Sequence, residues 1–273
     1  MSHWEKEKLV VENTPEPITK SRLVKDLRRI GVLPGDTISV HISMSRLGWI
    51  VGHEVTVIEA LKEAVTEEGT LVMQAHSTGN TDPRNWNYPP VPESWWETIR
   101  SETPPYHPEI TPLRGLGRVP ALFRTMPDVY RSNHPHVSCT AWGKNARQIV
   151  VEHDLEDSYG DRTPWGALYR LDSKILLFGV DYESNTAFHH AEIKTSTPNT
   201  PTVTTGAAIL ENGERKWVSW DEIEYNSDDF NDLGEAFEKS IGYEPMLVGQ
   251  AESRLLPMKD IIDFAVEWFQ ENR

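Results

Sequence analysis

The clearest candidates for chemistry in this chain are His189 and Glu192, which follow a short apolar run at residues 175–180. That run is partly β-branched and polar at both ends, which predicts a buried strand. Asn185 and Thr186 are favourable N-cap residues, so we expect a helix to begin there. The histidine and the glutamate would then share one helix face, where the carboxylate can raise the basicity of the imidazole. The spacing predicts a general base, and the alternative is a solvated helix start.

A second polar cluster contains His134 and His136. Together with His189 or His190 these side chains could bind zinc, for which histidine is a common ligand. No H-E-x-x-H pair supports such a site, and Pro135 favours a plain turn at this point. A histidine-based metal hydrolase therefore stays an alternative, and we assign no residue as a metal ligand.

The elements that must position these residues alternate between strands and helices. A helix at 21–30, a strand at 37–42, a helix at 54–65 and a strand at 70–73 predict a right-handed crossover and a parallel strand pair. An Asn-Gly pair at 212–213 between two strand-like runs predicts a β-hairpin. We expect a single α/β domain over residues 1–273, with a mixed, partly parallel sheet and the hairpin as an appendage.

Residues 77–112 form a proline-rich and tryptophan-rich insertion in this pattern. The segment holds eight prolines and five tryptophan or tyrosine residues. Disordered segments are poor in aromatic residues, and long loops inside domains are often functional. We therefore expect an ordered insertion that forms the wall of a cleft, the alternative being a structural lid that contacts no ligand.

The composition excludes several partners. The chain has 273 residues, with 27 Lys and Arg against 42 Asp and Glu, which gives a net charge of -15. Such a protein repels phosphate backbones, so we expect no nucleic-acid partner and a preference for cationic small molecules. Cys139 is the only cysteine, which excludes an intramolecular disulfide. No apolar stretch reaches ~20 residues and residues 1–17 contain no apolar signal core, so we predict a cytoplasmic protein without a membrane partner.

Several ordered blocks resemble the aminoglycoside 3-N-acetyltransferases. The blocks include HISMSRLGWIVG at 41–52, EEGTLVM at 67–73, ITPLRGLGRV at 110–119 and LLFGVDYESNTAFHHAE at 176–192. The resemblance implies a three-layer α/β/α sandwich and transfer of an acetyl group from acetyl-CoA to the 3-amino group of an aminoglycoside. It covers nearly the whole chain.

The resemblance also implies roles for individual residues. The family motif T-x-x-H-x-x-E falls on Thr186, His189 and Glu192, and Asp181 is a further candidate for the carboxylate beside the histidine. The resemblance also places a second set of residues at the coenzyme, namely His41, Ser43, Met44, Ser45, Thr111, Leu116 and Gly117.

The chemistry of acetyl transfer suggests further residues. We expect His189 to accept the amine proton, backbone N–H groups near Ser43 to Ser45 to stabilise the oxyanion, and transfer to be direct, with Cys139 as the only candidate nucleophile for a two-step route. Candidates for binding a cationic substrate are the acidic Asp82 and Glu93, besides Asp181 and Glu192, and the aromatic Trp95 and Trp96.

Three questions stay open at the level of sequence. The family's paired glycines are Gly52-His53 here, and its S-P-L block is Thr163-Pro164-Trp165, so the acceptor could be another amine. A coenzyme A-binding protein without activity is a further alternative. The aromatic insertion would suit a homodimer contact as well as a substrate wall.

Overall fold

The computed structural model describes residues 3–273, and nine strands within them form two sheets. The first two residues of the predicted single domain lie outside this range. The strands are β1 (Thr37–Ile42), β2 (Thr70–Gln74), β3 (Val129–Arg131), β4 (Cys139–Gly143), β5 (Lys174–Phe178), β6 (Thr202–Glu211), β7 (Glu214–Ile223), β8 (Met246–Val248) and β9 (Ala251–Pro257).

Ten α-helices within the same residues surround the strands. They are α1 (His3–Glu12), α2 (Lys20–Ile30), α3 (His53–Val65), α4 (Trp96–Glu102), α5 (Arg118–Phe123), α6 (Ala146–Val150), α7 (Pro164–Arg170), α8 (Phe188–Thr195), α9 (Phe230–Ile241) and α10 (Met258–Asn272). Short 3-10 turns at Met44–Arg46 and Tyr182–Ser184 follow β1 and β5.

The larger sheet has seven strands in the order β3-β4-β2-β1-β5-β9-β8. Strand β1 pairs in parallel with both β2 and β5, whereas the other pairs in this sheet are antiparallel. The predicted parallel pair and the mixed character of the sheet are thereby confirmed. The antiparallel strand β9, which borders β5, was not predicted from the sequence.

Helices cover both faces of this sheet, which confirms the predicted three-layer sandwich. One core packs α2, α3 and α5 against Ile38 and Val40 of β1. The other core packs α6 to α10 against β5 and includes the fully buried Trp165. Because side chains alternate along a strand, the polar Ser39 and His41 face this second core. Each fully buried large apolar side chain contributes roughly 1.5–3 kcal/mol to these cores.

The predicted hairpin consists of β6 and β7, joined by Asn212 and Gly213. Both turn residues have positive φ angles, 53° and 83°, which are the values that a type I′ turn requires. The hairpin carries the insertion at 77–112, because Asn85 Nδ2 and Tyr106 N donate hydrogen bonds to carbonyl oxygens of β6 at 2.9 Å and 2.8 Å. No helix within residues 3–273 is long and apolar enough to cross a membrane.

Candidate active site

The candidate site lies where the parallel strands β1, β2 and β5 end. In α/β proteins, ligands bind beyond the carboxyl ends of parallel strands, because the connecting loops meet there. After β5 the chain forms the 3-10 turn at Tyr182–Ser184 and then enters α8. The predicted helix start was slightly wrong, since the N-cap residue is Ala187 and the amide group of Asn185 caps nothing. Residues 185–187 instead form a tight turn that leads into the helix.

His189 and Glu192 form a hydrogen-bonded pair on the first turn of α8. His189 Nδ1 lies 2.5 Å from Glu192 Oε2. An ionised carboxylate can only accept, so Nδ1 carries the proton and Nε2 keeps its lone pair. The His189 side chain is 16% exposed, whereas Glu192 is 5% exposed. The arrangement therefore presents a basic nitrogen that is held in one tautomer by a buried carboxylate.

Three aromatic rings enclose the imidazole of His189. The ring centroids of Tyr159, Tyr225 and Phe230 lie 4.8 Å, 5.1 Å and 5.1 Å from its own. The hydroxyl of Tyr225 is buried and has no hydrogen-bond partner within residues 3–273. Burial raises the pKa of this phenol well above its usual range, so the group remains a hydrogen-bond donor at neutral pH.

The second oxygen of Glu192 is also occupied. Glu192 Oε1 accepts hydrogen bonds from Arg273 Nη1 at 2.5 Å and from the backbone N–H of Asn226 at 3.1 Å. The carboxylate is therefore fixed from both sides. Sequence patterns did not indicate Arg273, because it is 81 positions from Glu192 and belongs to no local motif.

Asp181 does not lie beside His189 and orients another group. Its carboxylate accepts a hydrogen bond from Arg46 Nη1 at 2.9 Å, and Arg254 Nη1 lies 4.0 Å away. The prediction that Asp181 completes a carboxylate–histidine pair is therefore wrong. The 3-10 turn after β5 carries the chain toward Arg46 before α8 begins, so only Glu192 reaches the imidazole.

His41 is buried at the end of β1, where Gln74 Nε2 lies 3.0 Å from its ring nitrogens. Burial lowers the pKa of His41 to about 4, so the ring is neutral at pH 7 and can accept from the amide. This pair links the ends of β1 and β2. A direct contact between His41 and a coenzyme stays a prediction.

One backbone N–H in the loop after β1 cannot take the oxyanion-binding role that was predicted for it. The N–H of Ser43 donates to the carbonyl oxygen of Phe178 at 3.1 Å, so this N–H cannot bind an oxyanion. Met44 and Ser45 begin the 3-10 turn, where the first N–H groups have no partner within the turn itself. Both residues line a cavity of about 220 Å³, together with Lys6, Trp49 and Arg118.

The other predicted coenzyme residues lie in a loop beside the end of β2. The N–H of Arg114 donates to the carbonyl oxygen of His76 at 3.0 Å. Arg131 Nη1 donates to the carbonyl oxygen of Thr111 at 2.6 Å, which fixes the start of the loop. Leu116 is partly exposed, and Gly117, with a φ of 78°, leads directly into α5. The loop thus reaches the same edge of the sheet as His189.

A model of the aminoglycoside 3-N-acetyltransferase family matches residues 40–270, which include the end of β1, the histidine–glutamate pair and most of α10. This chain belongs to that family. It is 42% identical to the aminoglycoside N(3′)-acetyltransferase-like protein YokD of Bacillus subtilis, over 97% of each chain. The crystal structure of YokD superposes with a TM-score of 0.94 and covers 97% of this chain and 98% of its own.

Two further members extend the comparison. The aminoglycoside N(3)-acetyltransferase VII of Streptomyces paromomycinus is 32% identical over 96% of this chain and 95% of its own. The structure of AAC-IIIb in a binary complex with CoASH has a TM-score of 0.84 at 27% identity, and covers 94% of this chain and 97% of its own. The resemblance inferred from the sequence is confirmed, and the chain is a member of an acyltransferase family.

Four of the residues predicted to bind a cationic acceptor lie in the insertion, and they differ in burial and in their partners. Asp82 is buried and accepts hydrogen bonds from Arg100 Nη2 at 2.8 Å and Nε at 3.2 Å, so its charge is already neutralised. Trp96 is partly buried and lies beside the Arg100 guanidinium, 5.8 Å from ring centroid to Cζ. Glu93 and Trp95 are exposed in the 3-10 turn that directly precedes α4.

A cavity of about 380 Å³ instead opens between the insertion and the hairpin, lined in part by Trp86, Tyr88, His136 and Glu222. The Glu222 carboxylate accepts a hydrogen bond from Ser158 Oγ at 2.5 Å. Burial raises the pKa of Glu222 above its usual value. Sequence reasoning missed these residues, although Trp86 and Tyr88 belong to the aromatic segment that it singled out.

Each histidine considered as a metal ligand bonds through at least one ring nitrogen within the protein, although Nε2 of His190 has no hydrogen-bond partner within residues 3–273. His134 Nδ1 accepts hydrogen bonds from the backbone N–H groups of His136 and Val137, and His136 Nε2 bonds to the carbonyl oxygen of Gly206 at 3.1 Å. His190 is buried, and its Nδ1 bonds to the carbonyl oxygen of Tyr159 at 2.7 Å. No group of three or more His, Cys, Asp or Glu side chains in residues 3–273 has a geometry that could hold a metal ion.

Proposed function

We propose that this chain is an acetyl-CoA-dependent N-acetyltransferase that acts on the 3-amino group of an aminoglycoside. The observation that carries the proposal is the His189–Glu192 pair, whose atoms Nδ1 and Oε2 lie 2.5 Å apart at the positions of the family motif. Acetyl-CoA, the acyl donor of the family, supplies the acetyl group as a thioester.

The proposed role of His189 follows from the state of the acceptor. Alkyl amines have pKa values near ~10, so the acceptor nitrogen is protonated at pH 7 and must lose a proton to attack. Nε2 of His189 accepts that proton, while Nδ1 remains bound to Glu192. The buried carboxylate stabilises the imidazolium that forms, and it keeps the ring in the productive orientation.

Two cavities support separate approaches for donor and acceptor. The cavity beside Met44 and Ser45 adjoins the loop that the family resemblance assigns to the coenzyme. Its lining balances Lys6 and Arg118 against Glu7 and Glu54, and Arg118 pairs with Glu54 at 2.8 Å, so position rather than charge supports this assignment. The cavity between the insertion and the hairpin offers aromatic rings and the Glu222 carboxylate, which suit a cationic amino sugar. Tyr159 and Tyr225 lie between Glu222 and His189, since each ring contacts that imidazole and both phenols interact electrostatically with Glu222.

Direct transfer between donor and acceptor is the route that the thiol chemistry supports. Cys139 is fully buried in β4, and burial raises the pKa of its thiol to about 12. A thiol in this state supplies almost no thiolate at pH 7 and therefore makes a poor nucleophile. The alternative acceptor, an amine other than an aminoglycoside, gains no support from Trp165, since this residue is buried in the core rather than in either cavity.

The test is thiol release from acetyl-CoA with a panel of aminoglycosides and simple amines, for the wild type and for His189→Ala. We expect release that depends on an aminoglycoside and falls by about 10²–10⁴-fold in the variant, the usual contribution of a general base. Mass spectrometry of the product locates the acetyl group. Release with simple amines alone would reassign the acceptor, and variant turnover within a few-fold of wild type would reject His189 as the base. A cytoplasmic location and a homodimer stay predictions.

A further inference from the structure

We propose that Arg273 is a positioning residue for acetyl transfer, which shares the charge of Glu192 and holds the orientation in which this carboxylate fixes His189. The inference rests on the proposed function, because it assigns Arg273 a role through the same base. It concerns a residue outside the family motif, on a different element of the fold.

The Arg273 guanidinium uses all three of its nitrogens in the protein. Nη1 donates to Glu192 Oε1 at 2.5 Å, Nε donates to Asp229 Oδ2 at 2.8 Å, and Nη2 donates to Asp229 Oδ1 at 2.5 Å. Nη2 also donates to the carbonyl oxygen of Asn226 at 2.8 Å. The planar fork of arginine matches two oxygens of one carboxylate, so the bidentate contact with Asp229 sets the direction in which Nη1 points.

The position of Arg273 is fixed by the packing of α10 as well as by charge. The Arg273 backbone N–H donates to the carbonyl oxygen of Phe269 at 3.0 Å, and the guanidinium lies 3.9 Å from the ring centroid of the same phenylalanine. Phe269 is next to Phe230, at 6.3 Å between centroids, and Phe230 is next to His189, at 5.1 Å. The helix and the aromatic rings thus join Arg273 and His189 into one packed unit.

The charges around Arg273 link this residue to the proton that His189 is proposed to accept. Its side chain is 28% exposed and faces two carboxylates, those of Glu192 and Asp229. Because one guanidinium already compensates part of the Glu192 charge, the carboxylate attracts a proton on His189 less strongly than an unpaired carboxylate would. Without Arg273, Glu192 should hold a proton on His189 more strongly, and a protonated ring cannot act as a general base. The other titratable side chains near His189 carry no charge at neutral pH, because burial raises the pKa of both phenols and lowers the pKa of the imidazole: Tyr159, Tyr225 and His76.

Two substitutions test the role. Arg273→Lys keeps the positive charge but loses the fork, whereas Arg273→Gln loses the charge. The control is Arg162→Gln. Arg162 is exposed, and its ion pair with Asp154, at 3.3 Å, involves neither His189 nor Glu192. For each protein we would measure kcat and KM for both substrates, the pH profile of kcat/KM, and the melting temperature.

We expect Arg273→Gln to lower kcat at pH 7 by about 10- to 100-fold, the loss typical when an outer hydrogen-bond partner of a functional histidine is removed. KM for acetyl-CoA should stay close to wild type, because Arg273 binds the Glu192 oxygen that faces away from His189. The acidic limb of the kcat/KM profile should move to higher pH. Arg273→Lys should lose less activity than Arg273→Gln, because it keeps the charge but cannot reproduce the bidentate contact with Asp229. Activity of Arg273→Gln within threefold of wild type would overturn the proposal, as would a loss of kcat with an unshifted profile.

A second measurement separates this proposal from the proposed function. The NMR titration of the His189 ring measures the effect of Arg273 on its protonation and does not require turnover. The ring signal is assigned by comparison with His189→Ala. We expect the midpoint to rise in Arg273→Gln and to match wild type in Arg162→Gln. A midpoint in Arg273→Gln equal to or below the wild-type value overturns the inference. If the wild type acetylated no amine but the midpoint still rose in Arg273→Gln, the proposed function would have failed while the link between Arg273 and His189 held.

Discussion

At the scale of single residues, the geometry of the site depends on how many hydrogen bonds orient each side chain. His189 bonds through one nitrogen and keeps the other for a proton, while Glu192 has partners on both oxygens. Such a carboxylate cannot rotate without breaking at least two charge-assisted hydrogen bonds, which are the stronger class in proteins. The proposed base is therefore oriented before any substrate arrives, which would leave little reorganisation for the reaction itself.

The Glu192 carboxylate can be tested by Glu192→Gln. The substitution keeps the shape of the side chain but removes the charge that stabilises an imidazolium at His189. It also permits the amide to donate to Nδ1, which would place the ring proton on Nε2 and block the base. We expect kcat to fall by about 10²-fold or more, because the productive tautomer of His189 is lost.

Glu183→Gln is the matched control for this prediction, because Glu183 is an exposed carboxylate in the same β5–α8 connection. Steady-state kinetics of thiol release should show the control at wild-type rates. Equal rates for the two variants would argue that Glu192 has no role in orienting His189.

At the scale of elements, the insertion at 77–112 is held by a buried ion pair rather than by its helix alone. Helix α4 has only seven residues, which is too short for stability in isolation. Arg100 on this helix donates to the buried Asp82, whose Oδ1 also accepts from the Arg84 backbone N–H at 2.9 Å. The contact fastens α4 to the preceding turn, and the same segment supplies Trp86 and Tyr88 to the cavity beside the hairpin.

We expect Asp82→Asn to loosen the insertion, because Arg100 would stay partly buried without a counterion. The lost charge-assisted hydrogen bonds should lower the free energy of unfolding by about 1.5–3 kcal/mol. KM for the acceptor should rise while KM for acetyl-CoA stays unchanged, and limited proteolysis should cut within 77–112. Glu102→Gln, at an exposed position on α4, is the control. An acceptor KM unaffected by Asp82→Asn would contradict the assignment of this cavity to the acceptor.

At the scale of the whole molecule, buried histidines join the parts of the fold that carry the site. His136 bonds to the hairpin at Gly206, and His134 lies beside His153, with ring centroids 4.5 Å apart. Burial lowers the pKa of His41 and His136 to about 4, and burial with neighbouring histidines lowers that of His134 well below its usual value. Protonation of His134 or His136 places a charge inside the contact between the sheet and the hairpin, and protonation of His41 places one between the ends of β1 and β2.

Stability should therefore fall on acidification between pH 6.5 and about 4. In that window the unfolded chain binds more protons than the folded one, because the folded pKa values are the lower ones. Each such histidine contributes a slope of about 1.4 kcal/mol per pH unit. Urea unfolding at pH 7, 6 and 5 measures it, and His136→Gln should show a shallower dependence by roughly one histidine. A free energy of unfolding that is constant from pH 7 to 5 would contradict the prediction.

The sequence alone determined the features that depend on neighbours along the chain. The period of the helix places His189 and Glu192 on one face, and the turn chemistry of Asn212 and Gly213 produces the hairpin. The β-α-β order likewise determined the parallel pair of β1 and β2. These features rest on local geometry, which residue types and spacing specify directly.

Only the tertiary structure decided which distant groups meet at the site. It placed Glu192 rather than Asp181 beside His189 and brought Arg273 to Glu192. It also paired Asp181 with Arg46, and Asp82 with Arg100. Such contacts join residues that are far apart in the chain, and each charged side chain has several partners of suitable chemistry. The choice among them depends on how helices pack across the sheet, which no local period or motif encodes.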